Sequence, residues 1–470
     1  MFELERFGDR ACLIGEGQRV TYAEVAAQVL RFRGLMAARS LVLCLCENTV
    51  PAIMGYVALV ANGHVPLLLD AGQSSDQVLE LCELYGPSFA WLPERRVGDH
   101  RHALEVMRIG AYVLVQLDRA RHSPLHPELQ LLLTTSGSTG SKKLVRLSRR
   151  NLESNASAIA SYLCISDADI AVTTLPFSYS FGLSILNSHL SVGASVLATE
   201  LTPLQREFWD LVQKKGVTSI SGVPYTFQML KRVRFERRDL PSIRYVTQAG
   251  GKPGDEVLDY LQRLSAEGGL PCFLMYGQTE ATARISYLPP ELLASKSGSI
   301  GVPIPGGHLE LIDADGAEIP EPRVVGQLVF TGPGVAMGYA TECQDLGRGD
   351  DWGGRLETGD LAFRDEEGFF YIAGRQKRFV KLFGRRVSLD EVETLLAREF
   401  PGCEFACHGS DDALHVSSVG VPDLQGVIRF VSARLGVNRA AVICAALDEL
   451  PRLASGKVDY PTLNRMAAAG

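Results

Sequence analysis

Leu131-Leu132-Leu133-Thr134-Thr135-Ser136-Gly137-Ser138-Thr139-Gly140-Ser141-Lys142-Lys143 is an apolar run that passes directly into hydroxyls and glycines and ends on two lysines. The apolar half reads as a buried strand. The second half reads as a loop suited to phosphate: glycines let the backbone approach an anion, hydroxyls and amides donate hydrogen bonds, and a lysine supplies positive charge. The strand leading straight into it separates this loop from a Ser/Gly linker. It is not the G-x-x-x-x-G-K-[ST] loop, because Ser141 and Lys142 stand before the lysines where that pattern requires Gly. Nor is it the G-x-S-x-G elbow of hydrolases, since Ser136 occupies the first Gly position.

Outward from this stretch, short apolar runs alternate with helical patterns through the first three-quarters of the chain. That alternation predicts an α/β fold of layered sheets, with parallel pairing as the default. Leu41–Cys46, Leu131–Thr135, Ala171–Leu175 and Ile243–Thr247 read as strands, each followed by a loop and a helical stretch; Pro224–Val233 is one such helix. From about Gly301 the pattern changes to short β-rich pieces such as Gly326–Phe330 and Gly368–Ile372, punctuated by Gly and Pro, which predicts a barrel-like or meander subdomain. After Arg375 the chain carries its own helices, expected at Leu389–Arg398 and Arg439–Leu447, with strands between them. The expectation is a large N-terminal domain over 1–374 and a small mobile α+β C-terminal domain over 375–470.

A chain of 470 residues can bury a large core, which excludes a small stapled scaffold. Forty-seven Lys and Arg against 54 Asp and Glu give a net charge of -7, which offers no electrostatic footprint for nucleic acid or an anionic membrane. Ten scattered cysteines and a start without a signal-peptide pattern fit reduced thiols and a cytoplasmic location. The longest apolar candidate, Gly55–Leu69, is interrupted by Asn62, Gly63, His64 and Pro66 and is too short to span a bilayer.

Five further motifs follow the loop in order: Leu175-Pro-Phe-Ser-Tyr-Ser-Phe-Gly182, Met275-Tyr-Gly-Gln-Thr-Glu280, Glu357-Thr-Gly-Asp360, the stretch from Gly374 to Gly384, and Leu450-Pro-Arg-Leu-Ala-Ser-Gly-Lys-Val-Asp459. Together with Thr135–Lys143 they resemble the adenylate-forming superfamily of acyl- and aryl-CoA synthetases, peptide-synthetase adenylation domains and luciferases, over residues 21–465 or so. The resemblance implies an AMP-forming acid:thiol ligase. A carboxylate and ATP would give an acyl-adenylate and pyrophosphate, and a thiol would then displace AMP. That reaction joins two anions, so its site must neutralise charge developing at the α-phosphate.

Residue by residue, the resemblance implies that Thr135, Ser136, Gly137, Ser138, Thr139, Gly140 and Lys143 hold the β- and γ-phosphates. Tyr276 would lie against adenine, Thr279 would reach the α-phosphate, and Glu280 would hold Mg²⁺. Asp360 would accept both ribose hydroxyls with Arg375 in support, and Lys457 would bridge the attacking carboxylate and the α-phosphate. Lys377 matches the hinge about which the C-terminal domain of relatives rotates between half-reactions, and Gly384 matches the glycine lining the thiol's approach. Two departures stand out: Lys142 replaces the usual Pro and Leu144 a frequent Gly, and the alignment favours Lys143 over Lys142 as the phosphate ligand.

The acid and the acceptor are less constrained. Amino-acid-activating relatives place an Asp where this chain has Gly182, in Phe181-Gly182-Leu183-Ser184, to pair with the substrate ammonium. Gly182 cannot supply that charge, which argues for a small carboxylic acid without an α-amine. Tyr179, Gly182, Tyr225, Gly250, Gly251 and Gly277 are expected to bound the acyl pocket. CoA and a carrier-protein phosphopantetheine acting in trans are both open as the thiol, and amide formation with an amine acceptor or a catalytically silent nucleotide-binding relative are the alternatives. Cys403, Cys407 and His408 lack an evident fourth metal ligand, His64 and His189 read as structural, and the Gly332–Gly338 run is one residue too long for a dinucleotide fingerprint.

Overall fold

Leu41–Cys46 is apolar and buried at all six positions, the pattern of a strand covered on both faces. In the computed structural model, which describes residues 2–36, 38–100, 103–118, 124–134, 143–375, 378–382, 385–410, 413–421 and 423–469, it lies within a sheet that has eight strands among the described residues. Their order is Gly338–Ala340, Leu144–Ser148, Leu129–Thr134, Val65–Asp70, Leu41–Cys46, Phe89–Pro93, Tyr112–Gln116 and Leu104–Ile109. A second sheet has nine, with Cys272–Tyr276, Tyr245–Gln248, Ser219–Gly222, Ile170–Val172 and Ser195–Leu197 as its parallel centre. Helices Val50–Ala61 and Ser180–Ser191 share one core cluster with residues of both sheets. Tyr56 ties the two helices together by donating to Asn187 Oδ1 at 2.9 Å.

The β-rich region after Gly301 is a four-stranded antiparallel sheet in the order His308–Ile312, Gly326–Thr331, Arg355–Arg364, Phe370–Arg375. Beyond it lie a hairpin, Phe379–Leu382 with Arg385–Ser388, and a three-stranded sheet, Glu404–Ser410, Ala413–Val419 and Val442–Ala446, flanked by helices Leu389–Glu399, Leu424–Leu435 and Tyr460–Ala469. The architecture is therefore α/β, with a large N-terminal part of layered sheets and a small α+β C-terminal part.

Three expectations change. The strand Leu129–Thr134 is followed by an antiparallel strand, Leu144–Ser148, before its helix Arg149–Tyr162, so the phosphate-type loop joins two neighbouring strands. Both large sheets carry antiparallel strands at their edges, so pairing is mixed. Arg439–Leu447 is a single 3₁₀ turn, Arg439–Ala441, and then the strand Val442–Ala446 paired in parallel with Ala413–Val419. The Asn438 side chain caps that turn, and β-branched Val442 and Ile443 take the free sheet edge, where pairing outweighs the helix preference of the neighbouring alanines.

Among the described residues no helix is long and apolar enough to cross a membrane, and no group of three His, Cys, Asp or Glu could hold a metal. His408 uses both ring nitrogens, on Asn464 and Ser417. All ten cysteines are free thiols.

Candidate active site

Thr134 and Leu144 are register partners at the end of this strand pair. Residues Thr135, Ser136, Gly137, Ser138, Thr139, Gly140 and Lys142 lie outside the described residues, as do Lys377 and Gly384. Lys143 is described: its Nζ sits over the ring of Tyr339, 3.1 Å from the centroid. Tyr339 in turn donates its hydroxyl to Glu280 Oε1 at 2.9 Å. Burial and the Glu280 carboxylate push the Tyr339 phenol well above its ordinary value, so the proton stays on the tyrosine.

Tyr339 is held in place from behind. Its strand pairs with Leu144–Ser148, and Arg146, fully buried, donates to the carbonyls of Tyr339, Met337, Arg348 and Gly349 and to the carboxylate of Asp351. A guanidinium whose donors all meet acceptors makes a rigid clamp.

A second group forms where the nine-stranded sheet meets the β-rich sheet. Tyr276 ends its strand and donates to Asp360 Oδ2, while Arg375 Nε donates to Oδ1 at 2.9 Å. Asp360 and Arg375 face each other across paired strands, so backbone register alone brings them together. Between these groups, Thr279 donates to Ser180 Oγ at 3.2 Å from a buried position.

The C-terminal part reaches the same place. Lys457 Nζ lies 5.1 Å from the centre of the Tyr179 ring. At Gly250, where φ is +81°, a Cβ would come 2.8 Å from Tyr179 Oη and 3.7 Å from Lys457 Cε. Arg452 stacks on Tyr225 at 4.4 Å, and a Cβ on Gly251 would come 3.4 Å from Pro224. Tyr179, Tyr225, Gly250, Gly251 and Lys457 are therefore neighbours despite their separation in sequence.

Around them lies an apolar, largely aromatic cluster that includes Phe181, Val223, Tyr245, Ala249, Phe273 and Met275, with Tyr162, Tyr179, Tyr225 and Tyr287 packed on it. Gly182 sits beside this cluster, but its missing side chain would run into the carbonyl of Pro176. The position can hold no carboxylate unless the backbone moves. Gly277 is likewise closed off by the carbonyl of Ala283, so at both glycines the backbone lies close against a neighbouring carbonyl.

The residue reading passes over Tyr339, Ser180 and Arg284. Tyr339 ends the Gly-Pro-x-x-x-x-Gly-Tyr segment at 332–339, a signal present in the sequence. Arg284 follows Glu280 by four residues and carries no motif. Burial lowers its pKa, with the Tyr162 and Tyr179 phenols acting the other way.

Residues 3–340 match the family described as "AMP-binding enzyme". The 2-succinylbenzoate–CoA ligase of Bacillus subtilis (strain 168) is 28% identical over 481 aligned positions, covering 96% of this chain and 94% of that protein. The indoleacetate–CoA ligase of Aromatoleum aromaticum is 28% identical over 362, covering 74% of this chain and 69% of that protein. The solved structure of o-succinylbenzoate CoA synthetase from Bacillus subtilis, in complex with its acyl-adenylate intermediate, superposes with a TM-score of 0.77 at 25% identity, over 98% of this chain and 97% of that one.

Proposed function

The chain belongs to the family of AMP-binding enzymes, and from that premise we propose that its described site adenylates a small carboxylic acid lacking an α-amine and passes the acyl group to the thiol of CoA. The general class, an AMP-forming acid:CoA ligase that uses ATP and Mg²⁺, follows from the family and its relatives. The observation that carries the finer reading is the meeting of Lys457 with Tyr179 and Gly250 at the edge of an aromatic cluster that offers no carboxylate at Gly182.

In this reading a carboxylate oxygen of the acid attacks the α-phosphorus, the bond from that phosphorus to the bridging oxygen breaks, and pyrophosphate leaves with the electron pair. Lys457 neutralises the attacking carboxylate and the α-phosphate together, and Thr279 donates to the same phosphate. Asp360 takes the ribose hydroxyls, kept in place by Tyr276 and Arg375. Lys143 and the loop from Thr135 to Gly140 take the departing phosphates.

Glu280 fits Mg²⁺, since a carboxylate is the hard donor this ion takes and the Tyr339 hydroxyl orients it. When bound there, the ion supplies positive charge against the phosphate oxygens. The thiol then loses its proton to solvent, its sulfur attacks the acyl carbon, the bond from that carbon to the phosphate oxygen breaks, and AMP departs with the electron pair.

Rotation of the small C-terminal part about Lys377, with a domain boundary near 374, would withdraw Lys457 and admit the thiol past Gly384. A carrier-protein phosphopantetheine is the second candidate acceptor. The need for ATP and CoA supports a cytoplasmic setting for the reaction.

ATP–pyrophosphate exchange over α-amino acids, fatty acids and aryl acids tests the first half-reaction without the acceptor. Exchange with a non-amino acid, followed by CoA-dependent AMP release, is expected. Exchange confined to α-amino acids, or AMP release driven by amines and not by CoA, overturns it.

A further inference from the structure

Arg284 is 3% exposed, yet among the described residues no carboxylate lies within ion-pair distance of it. Its guanidinium carbon lies 4.0 Å from the centre of the Phe181 ring, and its Nε donates to Met275 Sδ at 3.3 Å, a weak acceptor. The Tyr162 hydroxyl lies close by and itself donates to Met275 Sδ at 2.9 Å.

Arg146 provides the internal comparison. There a buried guanidinium of the same chain meets four carbonyls and a carboxylate. A structural arginine spends its five donors on the protein. Arg284 has instead a thioether and the Tyr162 phenol as its polar neighbours, and among the described residues neither a carbonyl nor a carboxylate is bonded to its guanidinium. That arrangement leaves the cation without a counter-charge unless an anion completes it.

The backbone that presents Arg284 is strained. Thr282, a β-branched residue, has φ +67° and ψ −44°. The Ala283 N–H donates to the Ala281 carbonyl two residues back at 2.7 Å, and Thr282 Oγ1 donates to Gly334 O at 2.6 Å, which holds the tight turn closed. Such turns are rare, and strain of this kind concentrates where a side chain must be aimed.

We propose that Arg284 determines acid specificity by pairing with a second carboxylate at the far end of the substrate, so that the preferred acids are dicarboxylates with a short apolar or aromatic body. Phe181 and Tyr179 link this cation to the adenylating lysine. Their ring centroids are 6.5 Å apart, Arg284 lies over the first and Lys457 near the second. One small acid can therefore span both, its reacting carboxylate at Lys457 and its distal one on Arg284, with its body against the rings. The same cation repels an α-ammonium, which reinforces the absence of a carboxylate at Gly182.

This inference rests on the acid-activation reading, and the test separates the two. ATP–pyrophosphate exchange is measured with aliphatic and aryl diacids and with the monomethyl ester of each, using the wild type, Arg284→Met and Arg284→Lys. The wild type should favour a diacid over its own ester by about 10–100-fold in kcat/KM, the range for one lost charge-assisted contact. Arg284→Met should abolish that preference while leaving ester turnover and ATP affinity near wild type, and Arg284→Lys should restore part of it. Equal use of diacid and ester by the wild type, or equal damage to both by Arg284→Met, overturns the assignment while leaving acid activation intact. Absence of exchange with every acid overturns acid activation and this proposal together.

Discussion

Tyr276 and Asp360 belong to different sheets, and the phenol of the first donates directly to the carboxylate of the second. The contact joins the β-rich sheet to the end of the parallel core, and Arg375 completes it from the neighbouring strand. Burial and the adjacent carboxylate push the Tyr276 phenol far above its ordinary value, so it remains a donor across the working pH range. Tyr276→Phe keeps the ring and loses one hydrogen bond, about 1 kcal/mol. It should raise KM for ATP about 5-fold, whereas Asp360→Ala should lower kcat/KM for ATP by about 100-fold or more. Steady-state pyrophosphate exchange at saturating acid reads both, and equal effects from the two variants would refute the ribose assignment.

Lys457 comes from the C-terminal part yet sits beside Tyr179. Lys457→Ala should slow adenylation by about 10²–10³-fold, as loss of one contact to a developing charge does. Thioester formation from supplied acyl-adenylate should be largely spared, because the proposed mechanism uses the lysine in the first half-reaction alone. Equal loss in both steps would contradict the alternation of two arrangements.

Tyr339 stands between Lys143 and Glu280. Tyr339→Phe retains the face under the lysine and deletes the donor to the carboxylate. The Mg²⁺ concentration for half-maximal exchange should rise about 3–10-fold, the usual worth of one hydrogen bond, with little change in KM for the acid. An unchanged Mg²⁺ dependence would remove Tyr339 from the site.

His189 is buried in the helix Ser180–Ser191, and burial lowers its pKa to about 4, with a hydrogen bond to Ile185 O and the Asp169 carboxylate offsetting part of the effect. As pH falls, the unfolded chain takes up this proton first. The stabilising contribution is therefore complete above pH ~6.5 and disappears progressively down to pH ~4. His189→Gln should flatten the fall in stability between pH 7 and 4.5 by roughly 2 kcal/mol, measured by urea unfolding. An acid limb identical to wild type would place the titration elsewhere.

Much of the site is legible in the chain because its chemistry depends on local backbone shape. Gly, Ser and Thr beside lysines read as a phosphate loop from residue type alone, and Tyr276 ends a strand that is followed, after Gly277 and Gln278, by the 3₁₀ turn Thr279–Ala281. Asp360 and Arg375 can be read as a pair because fifteen residues of antiparallel hairpin bring them face to face. Arg439–Leu447 escapes such reading: its residues suit a helix, and an unfilled sheet edge made most of it a strand.

The sequence by itself determined the α/β class, the order of the motifs and the exclusion of a carboxylate at position 182, since these depend on residue type and spacing. Only the tertiary structure decided that Lys457 meets Tyr179, that Tyr339 bridges Lys143 and Glu280, and that Arg284 is buried over Phe181 without a counter-charge among the described residues. The reason is physical. A motif records what one segment can do, whereas desolvation and pairing depend on which distant segments pack against it, and a charge acquires its meaning only from the groups that share its burial.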